Sequence, residues 1–210
     1  MYPGRAGWNS LVTARLYVEG GGDSKDLRSR CREGFSKLLQ RCSFSGRMPR
    51  VVPCGGRAAT YDDFKTAHSN ARGSDYVAML VDSEDPVADV EATWRHVAGR
   101  DGWPRPHGAD DDQVLLMTTC METWIVSDRR ALAAHCHGQL QESALPALVD
   151  LEGRSRADVQ DAPARASRRC SNAYAKGKRS FEFLSRVGPD TIEPYLPSFA
   201  RVRRFLNERL

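Results

Sequence analysis

Three acidic side chains stand where strand-like segments end, and their chemistry suits a metal ion. Glu19 closes the apolar run that begins at Val12, and Asp82 and Glu84 follow the apolar run YVAMLV. Alternate residues of an extended chain point to one side, so Asp82 and Glu84 are expected to share a face. Carboxylates brought together repel one another unless a cation neutralises them, and oxygen ligands favour Mg²⁺ or Mn²⁺. The pattern predicts a divalent metal site formed by Glu19, Asp82 and Glu84.

A simpler interpretation exists for each residue taken singly. A glutamate before a turn is usually solvated, and Asp85 before Pro86 is explained as a helix cap, although it is also a weaker site candidate. The joint occurrence at two strand ends favours the metal site, because ligands of open α/β sheets bind at the carboxyl ends of the strands.

The glycines after Glu19, in the segment GGGDSK, match neither G-x-G-x-x-G nor G-x-x-x-x-G-K-[ST]. Both nucleotide-loop patterns therefore fail. We interpret Gly20, Gly21 and Gly22 as clearance around Glu19 for a metal and a phosphate. Ser24 starts the following helix, whose free amides could hold a substrate phosphate.

Two further carboxylates lie in the segment CMETWIVSD. Glu122 has apolar neighbours and needs a partner, which could be an arginine, a metal or a helix-end amide. We predict it as a metal ligand, with a structural ion pair as the alternative. Asp128 is a weaker candidate that could simply cap the next helix. The run Asp110–Asp112 is expected to be solvated, because adjacent carboxylates in a loop point in different directions.

The segment YAKGKRS supplies the basic candidates Lys176, Lys178 and Arg179. A lysine beside a metal can neutralise the charge of a phosphoryl-transfer transition state or hold the scissile phosphate. The alternative is a solvated basic loop before a helix that Ser180 caps.

The elements that position these residues alternate between strand-like and helical patterns about four times, which is typical of an α/β fold. We predict a mainly parallel sheet with helices on both faces. The predicted elements include a strand from Val12 to Gly20, a helix capped by Asp23 or Ser24, a polar helix from Thr60, and a helix from Pro86 to about Gly99. The HCHG segment lacks a second ligand pair at zinc spacing, so no zinc site is expected.

Composition fits one sizeable domain of 210 residues with 40% hydrophobic and 28% charged residues. Residues 1–142 are predicted as the α/β domain, and residues 143–210 as a helical, basic C-terminal extension that completes it. From residue 154 onward, 13 lysines and arginines face 6 acidic residues. This basic part suits a polyanion surface, although a solvated helical surface explains it too.

The chain contains no apolar run of about 18 residues and no secretory signal, so neither a membrane span nor export is expected. Its six cysteines form no C-x-x-C pair, which is typical of a reducing compartment. We therefore expect a cytoplasmic protein.

The ordered set VEGGGDS, LVDSEDP, GADDDQV, CMETW with SD, and KGKRSFEFL resembles an uncharacterised bacterial family of stand-alone TOPRIM-like proteins, related to OLD-type nucleases. The resemblance runs from about Tyr17 to Leu206. It implies a TOPRIM-like Rossmannoid sheet and a metal-dependent phosphoryl-transfer site. Members are often encoded beside ABC-type ATPases in defence loci, which implies an ATPase partner and an anti-phage role.

By the TOPRIM pattern, Glu19 would be the acid/base or metal-adjacent residue, and Asp82 with Glu84 would hold Mg²⁺. Glu84 stands where the wider superfamily commonly has Asp. Glu122 would match a glutamate of OLD-like nucleases, and Lys176 or Lys178 their basic residue.

The leading hypothesis is a Mg²⁺-dependent (or Mn²⁺-dependent) nuclease acting on DNA or RNA, either as a monomer or as a homo-oligomer. A non-catalytic module that binds an ATPase or nucleic acid, and a small-molecule phosphohydrolase, are the alternatives.

Overall fold

The computed structural model describes residues 13–177 and 179–210. Within them, four strands form one parallel sheet in the order β2-β1-β3-β4. The strands, in chain order, are β1 (Ala14–Glu19), β2 (Arg50–Gly55), β3 (Tyr76–Asp82) and β4 (Val114–Met117). The predicted α/β class with a parallel sheet is therefore confirmed. Val12 and Lys178 lie outside the described residues.

Ten α-helices connect and follow these strands in the described part of the chain. They are α1 (Lys25–Leu39), α2 (Arg57–Ser69), α3 (Thr93–Asp101), α4 (Met121–Ser127), α5 (Arg129–His135), α6 (Arg156–Gln160), α7 (Ala162–Ala166), α8 (Ser180–Leu184), α9 (Pro189–Ile192) and α10 (Pro197–Arg209). None of the helices described is both long and apolar enough to cross a membrane.

Strand β3 is buried at all of its positions, as expected for a central strand covered on both faces. Its side chains alternate between two apolar clusters, because neighbouring residues of a strand point to opposite faces. Ala78 and Leu80 join the larger cluster, which includes α1, α4, α8 and α10. Val77 and Met79 join the smaller cluster, which includes α2 and α3. The sheet therefore has helices on both faces, as predicted.

The strand order creates a point where the connections diverge. The chain leaves β1 through α1 toward β2 on one side, and leaves β3 through α3 toward β4 on the other. Glu19 and Asp82 end the two strands that flank this point. Divergence of this kind opens a crevice outside the carboxyl ends of the strands, where open α/β sheets bind their ligands.

Helices from the C-terminal third complete the main core. Val159, Leu184 and Phe199 are buried in the same cluster as the sheet. Arg201 of α10 is 4% exposed, and its guanidinium donates to the carbonyl of Val114 at 3.0 Å. These contacts attach the basic part of the chain to β4.

Two helix starts differ from the sequence prediction. The helix after β3 begins at Thr93 rather than Pro86, because the Asp111 carboxylate accepts from the Trp94 N–H at 2.7 Å and caps the helix there. The polar helix α2 begins at Arg57, directly after β2, rather than at Thr60.

The expectation that Asp110–Asp112 is solvated is wrong for two of its three residues. Asp111 caps α3, and Asp112 is 6% exposed and forms an ion pair with Arg209. The run therefore connects the loop before β4 to two helices.

Candidate metal centre

Glu19, Asp82 and Glu84 come together at the carboxyl end of the sheet. Each offers one carboxylate oxygen, and these three atoms lie within 4.8 Å of one another. Neighbouring ligands of an octahedral Mg²⁺ ion lie about 3 Å apart and opposite ligands about 4.2 Å apart, so side-chain shifts of about 1 Å would bring the three oxygens to these distances. The three oxygen donors fit Mg²⁺ or Mn²⁺ by ligand type.

Glu19 lies close to Asp82 because they end two adjacent strands, β1 and β3. Glu84 also lies close to them, but it does not belong to an extended strand as the alternation argument assumed. Strand β3 ends at Asp82, and Glu84 adopts a left-handed backbone conformation with φ +68°. The N–H groups of Ser83 and Glu84 donate to the carbonyls of Met117 and Thr119 at 3.0 and 2.9 Å. These bonds to the chain leaving β4 hold the turn that brings Glu84 to the other carboxylates.

Arg57 contacts the acidic cluster from the first turn of α2. Its Nη1 lies 3.6 Å from Glu19, and the same group donates to the carbonyl of Asp82. Asp101 holds the guanidinium at two points, 2.9 Å from Nε and 2.6 Å from Nη2. The guanidinium carbon also lies 4.9 Å from the ring centre of Trp103. Arg57 is thus fixed by α3 and the loop after it.

Arg156 contacts the cluster from the start of α6, where the Ser155 side chain caps the helix. Its Nη2 lies 3.3 Å from an Asp82 carboxylate oxygen, and Nη1 forms an ion pair with Glu84. Its Nε donates to the side-chain oxygen of Gln160 at 2.7 Å. Arg156 therefore places a positive charge on two of the three candidate ligands.

Burial dominates the electrostatics of the cluster. It raises the pKa of Asp82 well above its usual range, and the charges of Glu19 and Glu122 raise it further, against the opposing effect of Arg156. Burial likewise raises the pKa of Glu19, while Arg57 lowers it. Asp82 and Glu19 are therefore held in a place that penalises their negative charge, and a bound cation would relieve this penalty.

Glu122 lines the same pocket as Glu19 and Asp82, but it is not one of the three residues whose carboxylate oxygens lie within 4.8 Å of one another. It is 2% exposed, and the Tyr174 hydroxyl donates to its Oε1 at 2.5 Å. Burial and the charge of Glu122 raise the pKa of Tyr174, so the phenol stays a donor. A tyrosine is therefore a hydrogen-bond partner of Glu122, which was not among the partners that we expected, and the role of Glu122 as a metal ligand stays a prediction.

A pocket of about 240 Å³ is lined by two of the three carboxylates, Glu19 and Asp82, while Glu84 is not among its lining residues. Acidic, basic and glycine residues line it together, which suits a charged ligand. The lining residues are Glu19, Gly20, Gly21, Gly55, Asp82, Met121, Glu122, Arg156, Lys176, Gly177, Ser180 and Phe181. Of the predicted basic residues, Lys176 is placed in this pocket, while Lys178 lies outside the described residues.

The glycines after Glu19 have a conformational role. Gly20, Gly21 and Gly22 adopt φ values of +134°, +86° and +49°, which side chains rarely tolerate. A Cβ on Gly20 would lie 3.2 Å from the Phe181 ring, and one on Gly21 would lie 3.0 Å from the Arg28 Cα. The clearance they provide is therefore toward α1 and α8, while Gly20 and Gly21 also line the pocket.

Several predicted site residues are not among the pocket-lining residues and have structural partners instead. Ser24 caps α1 by accepting from the Leu27 N–H at 3.1 Å, and the carbonyl of Gly22 accepts from Arg28 at 3.2 Å. Arg179 donates to the carbonyl of Ala173 at 3.2 Å. The expected cap by Ser180 is wrong, because α8 begins at Ser180 and has no side-chain cap.

The two weaker acidic candidates also have structural partners. Asp128 caps α5 by accepting from the Ala131 N–H at 2.9 Å, and it accepts from the Gly188 N–H at 2.8 Å. Asp85 pairs with Arg100 at 3.0 Å and caps no helix.

Sequence reasoning missed Arg57, Arg156 and Tyr174. Arg57 lies two positions after Gly55, the last residue of β2, so the strand-end rule that selected Glu19 could have found it. Arg156 and Tyr174 lie in the C-terminal third, where the sequence shows only a basic helical pattern. Their place beside Asp82 and Glu122 depends on tertiary packing.

Comparison with known proteins gives the family of the chain but no further relative. No curated protein and no solved structure matches it significantly. A family described as "Domain of unknown function (DUF4276)" matches residues 18–207, which include every residue of the candidate centre. The chain therefore belongs to the DUF4276 family.

Proposed function

We propose that this protein is a Mg²⁺- or Mn²⁺-dependent enzyme that hydrolyses phosphodiester bonds of nucleic acid. The observation that carries the proposal is the convergence of Glu19, Asp82 and Glu84, whose carboxylate oxygens lie within 4.8 Å of one another. They meet at the divergence point of a parallel sheet, where Glu19 and Asp82 line a pocket together with Lys176. Carboxylates with a neighbouring cation are the combination that phosphoryl-transfer chemistry requires.

In this proposal Asp82, Glu84 and Glu19 hold the metal through one oxygen each. The metal, when bound, supplies an activated water and neutralises charge on the phosphate. Lys176 holds the scissile phosphate and neutralises the charge that develops on it. Glu122, which is 2% exposed and accepts a hydrogen bond from Tyr174, forms part of the pocket wall. The glycines keep the backbone beside Glu19 in conformations that other residues would strain.

The remaining parts of the proposal come from the resemblance to TOPRIM-like proteins and from the cysteines. An ABC-type ATPase partner, an anti-phage role and a choice between DNA and RNA stay predictions. The six free cysteines are all buried, and burial raises the pKa of Cys31 and Cys54 to about 12. Such thiols suit a cytoplasmic protein.

A specific observation favours a second candidate, which is a non-catalytic module that binds an ATPase or nucleic acid. Arg57 and Arg156 already pair with the carboxylates of the cluster. Ion pairs of this kind can stabilise acidic residues without any metal. In the module, the arginines would be permanent partners and the pocket would take no cation.

Metal binding separates the two candidates. We expect Mn²⁺ titrated into the protein to give saturable heat in calorimetry, and Glu84→Gln to weaken that binding at least about tenfold, since a charged ligand is lost. Glu33→Gln is the matched control, because Glu33 is exposed and pairs with Lys37 on α1.

Cleavage of labelled DNA and RNA with Mg²⁺ or Mn²⁺ then tests the reaction. A protein that binds Mn²⁺ and cleaves only a chromogenic phosphodiester would be a small-molecule phosphohydrolase. A protein that binds no Mn²⁺ would be the non-catalytic module, and the proposal would be wrong.

A further inference from the structure

Arg57 and Arg156 both contact the candidate metal ligands, but they are held in different ways. Arg57 has two bonds to Asp101 and lies against Trp103, so its position depends on groups outside the cluster. Arg156 has only Gln160, on Nε, as a described partner outside the cluster. Both of its terminal nitrogens pair with Asp82 and Glu84.

The terminal nitrogens of Arg156 therefore contact carboxylates that a divalent ion would need. A guanidinium and a divalent ion repel each other at a separation of a few ångströms, and burial strengthens this repulsion. Binding of the metal to Asp82 and Glu84 would weaken both ion pairs of Arg156, because the cation neutralises the same carboxylates. The guanidinium would then be available to another anion, in a pocket that it lines with Lys176.

We infer that Arg156 binds a substrate phosphate, and that Asp82 and Glu84 hold its guanidinium until a divalent ion displaces it. This inference rests on the proposed function. A planar guanidinium matches phosphate oxygens with two parallel hydrogen bonds, as it matches carboxylate oxygens. The Nε bond to Gln160 keeps the side chain at the pocket while its terminal nitrogens change partners.

The inference requires that metal and nucleic acid bind cooperatively through Arg156. Metal binding frees the guanidinium for phosphate, and phosphate binding removes the guanidinium from the metal ligands. Each ligand must then raise the affinity of the other by the same factor. A residue that only stabilises the fold would not produce this coupling.

The first test measures Mn²⁺ affinity by calorimetry without nucleic acid. Arg156→Gln should bind Mn²⁺ about tenfold more tightly than the natural protein, because the competing charge is gone. Arg156→Lys should stay close to the natural protein, because it keeps the charge. Arg165→Gln is the matched control, since Arg165 is exposed and is not among the pocket-lining residues.

The second test measures binding of a fluorescein-labelled phosphorothioate oligonucleotide, which resists hydrolysis, by anisotropy with and without Mn²⁺. Without metal, Arg156→Gln should bind within about twofold of the natural protein, because the natural Arg156 is held by carboxylates. With saturating Mn²⁺, the variant should bind about tenfold more weakly, as expected for loss of a bidentate phosphate contact.

The outcomes separate this inference from the proposed function. If the natural protein binds no Mn²⁺, the proposed function is wrong and the inference falls with it. If the natural protein binds Mn²⁺ but Arg156→Gln changes neither metal affinity nor the metal dependence of oligonucleotide binding, the inference alone is overturned. Weaker Mn²⁺ binding by a folded Arg156→Gln variant, checked by its thermal unfolding, would also overturn it.

Discussion

The backbone N–H of Asp82 donates a hydrogen bond to the carboxylate of Glu19 at 3.1 Å, across 63 positions of the chain. This bond joins the ends of two neighbouring strands. It orients Glu19 toward Asp82 even though both groups are acidic. The pairing of β1 with β3 thus brings two of the three residues of the candidate centre together through backbone contacts alone.

Removing either carboxylate should stop catalysis without unfolding the protein. We expect Glu19→Gln and Asp82→Asn each to lower metal-dependent cleavage about a thousandfold, because several kcal/mol of transition-state stabilisation are lost. The Asn side chain can still accept from the Met121 N–H, which donates to Asp82 at 2.9 Å. Thermal unfolding should show no loss of stability in Asp82→Asn, since burial penalises the charge that it removes. Undiminished cleavage in both variants would contradict the proposed site.

The glycines after β1 should be needed for stability, and a matched pair tests the reason. Gly21 and Gly46 have φ values of +86° and +82°, but a Cβ on Gly21 would lie 3.0 Å from the Arg28 Cα, whereas one on Gly46 meets nothing within 4 Å. Gly46→Ala should therefore cost about 1 kcal/mol from backbone strain alone. Gly21→Ala should cost about 3 kcal/mol or more in urea unfolding. Equal losses would show that packing against α1 does not matter.

The bond between Tyr174 and Glu122 should be a strong local interaction. Tyr174→Phe removes the phenol donor from a carboxylate that is 2% exposed, which should lower the free energy of unfolding by about 1–3 kcal/mol. In a double-mutant cycle with Glu122→Gln, the two losses should not add. Additive losses in urea unfolding would mean that the two side chains do not stabilise each other.

Glu152 should make stability fall as pH rises. Its carboxylate accepts from the Ser198 N–H at the start of α10, at 3.2 and 3.0 Å, yet burial raises its pKa from 4.5 to about 7. Between these two pKa values the folded protein keeps a proton on Glu152 that the unfolded chain releases. The protonated carboxyl therefore stabilises the fold fully below about pH 4.5, and this stabilisation is lost as the pH rises toward about 7. We expect a loss of about 2–3 kcal/mol between about pH 4.5 and about pH 7.

Urea unfolding across that pH range checks this contribution. Glu152→Gln keeps an acceptor for Ser198 and carries no proton to lose, so its stability curve should be flatter with pH than that of the natural protein. Parallel curves would show that Glu152 does not contribute.

Much of the fold could be predicted from local sequence pattern. The continuous apolar run before Asp82 indicates a central strand, and the strand-end rule then selects Glu19 and Asp82 without knowledge of their distance. A helix cap at Asp23 or Ser24 is predicted by their position before a run with helical spacing, and Ser24 is the residue that caps α1. These inferences succeed because they depend on residues close together in the chain.

The rest depends on tertiary contacts that local pattern does not contain. Glu84 reaches the cluster through a left-handed turn that is hydrogen-bonded to the chain after β4. Strand alternation therefore predicted correctly that Glu84 lies near Asp82, but the cause is this turn and not an extended strand. Asp111 caps α3 through the N–H of Trp94, which is 17 positions away in the chain. The helix therefore begins at Thr93, whereas the local pattern predicted a start at Pro86. Arg57 could have been predicted by the rule that selected Glu19, because it lies two positions after the end of a strand. Arg156 could not, because it begins a helix in the C-terminal third, away from any strand end.

The distribution of the pocket residues along the chain has a consequence for synthesis on the ribosome. The carboxylates at positions 19, 82 and 84 emerge early, whereas Arg156, Lys176 and Phe181 emerge roughly seventy or more residues later. A nascent chain thus exposes the acidic groups together with Arg57 before it contains Arg156, Lys176 and the ring of Phe181. The complete set of pocket-lining residues therefore becomes available only once α8 has been made.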